Sequence, residues 1–233
     1  MKKFITAVFC LAVLPLASYA QGVYNPNAKP RPKKVKPRAW RGLVIAPSIS
    51  GGISTTNAVN PNFTGNDPGA MVVIGCKVGY AANDHLTFNT GMFLGTYSWS
   101  STYISGLMQD RYFNASSYLQ IPFTVKFTTS KAERIGFFIE GGASLGFLAG
   151  VTEEITYRDG SPSEMYTDPA SSNPVSVASY LAIGVKFPIS NKVKFYAGIE
   201  NSFFFIDQLK TEKTNLMATG LRAGVDINWA KKK

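Results

Sequence analysis

The chain has 233 residues, a formal net charge of +10, 45% hydrophobic residues and only 16% charged ones. That balance excludes a disordered chain, and one His with two Cys leaves little material for a zinc site or a disulfide framework. A charge this positive raises nucleic-acid binding as a reading until its position along the chain is settled.

Residues 1–20 read as a signal peptide. Lys2 and Lys3 form a positive start, Phe4 to Leu14 an apolar run broken by Pro15, and Ser18-Tyr19-Ala20 a small-residue cleavage site. The run is too short to compete well as a membrane anchor, which needs about 20 residues. Cys10 follows the bulky Phe9 and comes too early for a lipoprotein cysteine, so cleavage removes it and leaves Cys76 unpaired.

Residues 21–41 form a basic, Pro-rich linker. Pro26, Pro30, Pro32 and Pro37 are interleaved with Lys29, Arg31, Lys33, Lys34, Lys36, Arg38 and Arg41, a composition that stays extended and solvated. A second basic tail, 231–233, is three lysines. Together these tails hold ten of the 22 Lys and Arg left after cleavage, whereas 42–230 holds 12 bases and 14 acids. The folded part is slightly acidic, and nucleic acid is not an expected partner.

From residue 42 no segment has the period of an amphipathic helix. Eight strand-like runs lie near 42–53, 70–81, 85–97, 112–127, 135–148, 177–188, 193–206 and 215–229. Each reaches the roughly 9–11 residues a tilted membrane-spanning strand needs. Alternation is clearest in the fourth, with Leu119, Ile121, Phe123, Val125 and Phe127 against Tyr118, Gln120, Pro122, Thr124 and Lys126. In the fifth, Ile135, Phe137, Ile139, Ala143, Leu145 and Phe147 face away from Gly136, Glu140, Gly142, Ser144 and Gly146. The eighth sets Leu221, Ala223, Val225, Ile227 and Trp229 against Gly220, Arg222, Gly224, Asp226 and Asn228.

Connections alternate in length. The gaps 82–84, 128–134 and 189–192 are short, and 54–69, 98–111, 149–176 and 207–214 are longer. This is the pattern of an eight-stranded antiparallel transmembrane β-barrel with short periplasmic turns and long extracellular loops. Both termini then lie on the periplasmic side of the outer membrane. A soluble barrel of the lipocalin type would turn the apolar set inward. An eight-stranded interior is only wide enough for its own side chains, and that set would overfill it. Aromatics of outward parity also form two groups. Tyr80, Phe127, Phe137, Phe187, Phe195 and Trp229 lie toward the short turns, and Phe147, Phe203 and Phe205 toward the long loops.

The strand Tyr118-Leu119-Gln120-Ile121-Pro122-Phe123, continued by Val125-Lys126-Phe127, resembles the Tyr-Leu-x-Ile-Pro strand of the PorT-like outer-membrane β-barrel family. Gly-Gly-Ala-Ser-Leu-Gly at 141–146 and the strand ending in Trp229 are similar to it as well, and the resemblance covers about 42–230. It implies a small Gram-negative outer-membrane barrel without an assigned activity. For PorT itself it implies an association with type IX secretion.

Seven charged residues share the inward parity: Lys77, Lys126, Glu140, Lys186, Glu200, Arg222 and Asp226. They are expected to pair across the lumen as a structural polar network, with a narrow channel of low conductance as the alternative. Enzyme activity is not expected, because the only His, His85, sits at a short turn away from the long loops. No cofactor or metal is expected either. The loop 149–176 carries Glu153, Glu154, Asp159, Glu164 and Asp168 against Arg158 and reads as a solvated acidic loop without calcium-loop spacing. Trp99 and Tyr103 either contact a ligand or extend a hairpin above the membrane, and Cys76 has lipid-facing parity. The reading is a non-enzymatic barrel with a structural or interaction role, alternatively an accessory of a type IX-like secretion machinery. Its partners are outer-membrane lipid and, through Lys29, Arg31, Lys33, Lys34, Lys36 and Arg38, an anionic periplasmic or secretion-machinery component.

Overall fold

A computed structural model describes residues 41–58, 63–105, 108–129, 134–157, 161, 163–167, 172–190, 192–206 and 214–229. The segment expected as a signal peptide, residues 21–40 of the linker with the six expected docking residues, and the tail 231–233 lie outside these residues.

The described residues form nine strands: β1 (Gly42–Ala58), β2 (Phe63–Ala81), β3 (Leu86–Ser105), β4 (Met108–Thr128), β5 (Gly136–Thr156), β6 (Glu164–Tyr166), β7 (Val175–Pro188), β8 (Val193–Phe204) and β9 (Thr214–Asn228). All pairings are antiparallel, and eight strands run β1-β2-β3-β4-β5-β7-β8-β9 around a ring. The ring closes where β1 meets β9, from Val44 opposite Asn228 to Ala58 opposite Thr214. Closure leaves the barrel wall no open edge. β6 adds a short ninth segment to the far end of β5, Glu153–Ile155.

Period two explains which face each residue takes. Along β5, Phe137, Ile139, Leu145 and Phe147 are exposed while Phe138, Glu140 and Ser144 are buried. The outward set of β1 to β9 makes an apolar belt that includes Ile49, Ile74, Phe123, Ile183 and Leu221, each more than half exposed to what surrounds the barrel. Water is a poor solvent for such a belt, and lipid is a good one. At the short-turn end, Tyr80, Phe127, Phe137 and Trp229 stand outward, and the Phe187 and Phe195 rings lie 6.3 Å apart. At the other end Phe205 stands outward, with the Phe203 ring 5.3 Å from its own. Two polar pairs on the outer wall, Thr96 with Ser117 at 2.9 Å and Asn201 with Thr219 at 2.7 Å, mark the upper limit of the belt.

Strand lengths depart from the sequence reading. The segments 54–69 and 98–111, expected as long loops, are mostly strand. β1 and β2 pair up to Ser54 opposite Gly69, and β3 and β4 pair up to Ser105 opposite Met108. The ladders continue past the lipid belt as hairpins because Ser, Thr and aromatic residues there suit a sheet wet on its outer face. Their polar residues on both faces erase the alternation that a sequence scan needs. A register shift between Pro68 and Met71 bends this extension. It is fixed by Ser54, whose Oγ donates to the Ser98 carbonyl at 2.6 Å, and by the Ala70 amide, which donates to Ser98 Oγ at 2.8 Å. The expected loop 149–176 is also shortened, since β5 runs on to Thr156 and β6 pairs with it. Within it, Arg158, Asp159 and Asp168 lie outside the described residues.

The opposite end is tight. At the β2–β3 turn, the His85 and Leu86 amides both donate to Asn83 Oδ1, at 2.8 and 2.9 Å. The β7–β8 turn is held by Ser190 Oγ, which accepts from the Val193 amide at 3.1 Å.

Candidate functional site

Inward side chains from every barrel strand converge in the lumen, which has three levels. Nearest the short turns, Asp226 on β9 accepts from Lys126 Nζ on β4 at 3.0 and 2.8 Å. Lys186 Nζ lies 4.0 Å from the same carboxylate and donates to Thr128 Oγ1 at 2.9 Å. Lys194 on β8 is buried at this level.

The middle level is built around Glu140. Its carboxylate pairs with Lys77, accepts from Arg222 Nη1 at 3.1 Å and from Thr124 Oγ1 at 2.5 Å, and lies 3.4 Å from Asn89 Nδ2. Five strands, β2, β3, β4, β5 and β9, thus meet at one carboxylate. Arg222 also donates to the Tyr180 hydroxyl, to Tyr196 Oη at 3.0 Å and to Ser48 Oγ at 3.4 Å. Its Nε is 3.9 Å from Glu200, which accepts from Tyr180 Oη at 3.2 Å. Burying charges is tolerable only when each has partners of this quality.

Lysines and arginine outnumber the carboxylates among the described buried residues: five cations (Lys77, Lys126, Lys186, Lys194, Arg222) against three anions (Glu140, Glu200, Asp226). Aromatic faces offset part of the excess. Lys126 Nζ is 4.0 Å from the Tyr196 ring centroid and 5.0 Å from that of Phe138, and Lys77 Nζ is 4.6 Å from that of Tyr180. Such desolvated cation–π contacts contribute about 2 kcal/mol each.

The third level, toward the hairpins, holds none of the buried charges found among the described residues. Met71, Val73, Phe93, Tyr97, Trp99, Tyr118, Ala178, Phe204, Leu216 and Ala218 pack into one buried cluster. Phe204 is fully buried, edge-on to Tyr97 at 5.1 Å and 6.3 Å from Tyr118. Gln120 Nε2 donates to Tyr97 Oη at 2.9 Å. Between this cluster and the middle level lies a cavity of about 30 Å³, lined by Lys77, Arg222, Glu200, Gln120, Tyr97, Tyr180, Ser144, Ser202, Val73, Phe93 and Pro122. One ordered water needs about 10–15 Å³, so the space suits two waters and no larger ligand.

The wall and its filling match a known family. The family described as outer membrane protein beta-barrel domain matches residues 41–204, from the start of β1 to the end of β8. The chain belongs to that family. It is an outer-membrane β-barrel protein, and β9, beyond the matched stretch, completes its ring. No curated protein matches the chain. Among solved structures, Neisserial surface protein A is similar at 16% identity, with 82% of this chain and 99% of that one covered and a TM-score of 0.44. Ail, the attachment invasion locus protein of Yersinia pestis, is similar at 14% identity over 80% and 99%, with a TM-score of 0.34. The outer membrane protease OmpT from Escherichia coli is similar at 8% identity over 83% and 98%, with a TM-score of 0.38.

All seven charged residues singled out by parity are buried in the lumen of this family member, and all seven take part in the ion pairs just described. Lys194 belongs with them, and its parity with Tyr196 and Glu200 on the same strand is the signal that finds it. The aromatic level was not anticipated: the large apolar set was expected to face lipid, yet Phe93, Phe138 and Phe204 are buried inside. Large side chains fit because glycines lie beneath them. A Cβ on Gly75 would strike the Phe93 ring, one on Gly224 the Tyr196 hydroxyl, and one on Gly220 the Met71 methyl.

The remaining candidates are placed elsewhere. Trp99 is buried in the aromatic level, which removes it as an exposed ligand contact, and its strand extends the hairpin. Tyr103 continues the same strand, its backbone opposite Asp110. His85 Nδ1 sits 2.7 Å from the Thr128 carbonyl, and its ring stacks on Phe127 at 6.1 Å. Cys76 is half-buried on the outer wall between Pro47 and Met92. Glu153, Glu154 and Glu164 lie on the β5–β6 ladder. Among the described residues, no three His, Cys, Asp or Glu side chains gather in a metal-sized group.

Proposed function

We propose that the protein is a non-enzymatic outer-membrane barrel whose role is structural or interactive, exercised by the parts that project from the membrane. The observation that carries this reading is the filled lumen: ion pairs across its short-turn and middle levels, packed rings across the third. A barrel so filled is a rigid support, and its surplus strand length goes into the β1–β2 and β3–β4 hairpins. His85 is committed to a turn, which supports the absence of a catalytic histidine. The orientation that accompanies this reading puts the short turns and both termini in the periplasm, after a signal peptide is removed at Ala20.

Planar-bilayer recordings test the reading. The purified protein is expected to give no current steps; steady ion conduction by the wild-type barrel would overturn it and move the assignment to the narrow-channel alternative. A second reading, an accessory of a type IX-like secretion machinery, draws support from the PorT-like strand Tyr118 to Phe123 and the basic linker. Deleting residues 23–40 and comparing co-purified partners decides it: loss of secretion components supports docking, and an unchanged partner set removes it.

A further inference from the structure

We propose that the lumen is a path for small anions held shut at one level, the aromatic one. The inference rests on the filled-lumen reading above and says where the filling acts as the barrier. Three observations carry it.

The first is charge. From the short-turn mouth inward, Lys186, Lys194, Lys126, Arg222 and Lys77 succeed one another on five different strands, against three carboxylates. A small anion moving along this series exchanges one cation for the next, whereas a cation meets the excess of like charge. The second is space. The series ends at a cavity of about 30 Å³ with a mixed lining, where Lys77, Arg222 and Gln120 supply donors. The third is the seal. Beyond the cavity, Tyr97, Trp99, Tyr118 and Phe204 pack into one buried cluster, and the buried charges among the described residues all lie at the other two levels or line the cavity. An ion there has no counter-charge, and hydrophobic constrictions of this kind stop ions. Phe204 is the keystone. It is fully buried, touches both tyrosine rings, and is the last residue of β8.

The test is the double variant Tyr97→Ala/Phe204→Ala in planar bilayers under a potassium chloride gradient, beside wild type and Glu140→Gln. Heat-modifiable electrophoretic mobility establishes that each barrel is folded. The double variant is expected to show discrete current steps with a reversal potential of the sign for chloride, and Glu140→Gln to stay silent. Cation-selective current, or silence from a folded double variant, would overturn the anion path. Current from Glu140→Gln with its rings intact would place the barrier among the ion pairs and overturn the seal. Current from wild type is a separate result, since it defeats the filled-lumen reading itself. Should the double variant lose its folded mobility, Phe204→Ala alone carries the same expectations.

Discussion

The two halves of the lumen have the same parity and opposite chemistry. Toward the short turns, Lys126, Lys186 and Asp226 occupy the inward positions of β4, β7 and β9; toward the hairpins, Tyr118, Ala178 and Leu216 occupy the inward positions of the same strands. The charged half gains specificity, because each ion pair joins named strands across the barrel. The aromatic half gains close packing, which needs no particular partner. Removing one member should therefore do different things in the two halves. An ion-pair deletion strands its partners in a dry interior, while a ring deletion leaves only a cavity.

Four substitutions sharpen that contrast, read as shifts in urea unfolding followed by tryptophan fluorescence. The largest effect is expected from Glu140→Ala, which leaves Lys77 and Arg222 buried without their carboxylate and should cost about 4 kcal/mol. Phe204→Ala should cost about 3 kcal/mol by the cavity it opens beside Tyr97. If it costs more than Glu140→Ala, the contrast is reversed. Tyr196→Phe keeps the ring over Lys126 but removes the hydroxyl that accepts from Arg222, and about 2 kcal/mol is expected. The smallest change is expected from Arg111→Ala on the hairpins. Its 3.5 Å ion pair with Asp67 is exposed to solvent, and about 0.3 kcal/mol at low salt, vanishing at high salt, is the expected reading.

The wall was legible from the sequence and the filling only in part. Leu119 to Phe127 and Leu221 to Trp229 alternate cleanly because lipid on one side and a polar lumen on the other impose opposite demands on successive residues. The seven lumen charges follow from the same alternation. The hairpins were read as loops because the contrast fails there: Ser98, Ser100 and Ser101 are all buried although they lie on both faces of the strand. The aromatic level escaped for a related reason. Tyr118 looked like one more polar inward residue, Trp99 like a loop residue, and Phe138 and Phe204 broke the rule that large apolar side chains face lipid. A narrow barrel must be filled, and with glycine opposite a ring the filling can be bulky. Single-strand periodicity carries no information about which glycine lies opposite which ring. That pairing is set by register between strands, as where Gly224 faces Tyr196 across the β8–β9 ladder.

Register also bears on how the protein is completed during assembly. The last strand carries both Arg222 and Asp226, whose partners Glu140 and Lys126 lie 82 and 100 residues earlier in the chain. Until β9 inserts between β8 and β1, the ring is open, Lys126 lacks Asp226, and Glu140 has Lys77 but not Arg222. Insertion of one strand therefore supplies the final wall and completes the ion pairs of the interior in the same event. A chain arrested after β8 is not a barrel with a gap but an intermediate whose Lys126 and Glu140 are incompletely paired.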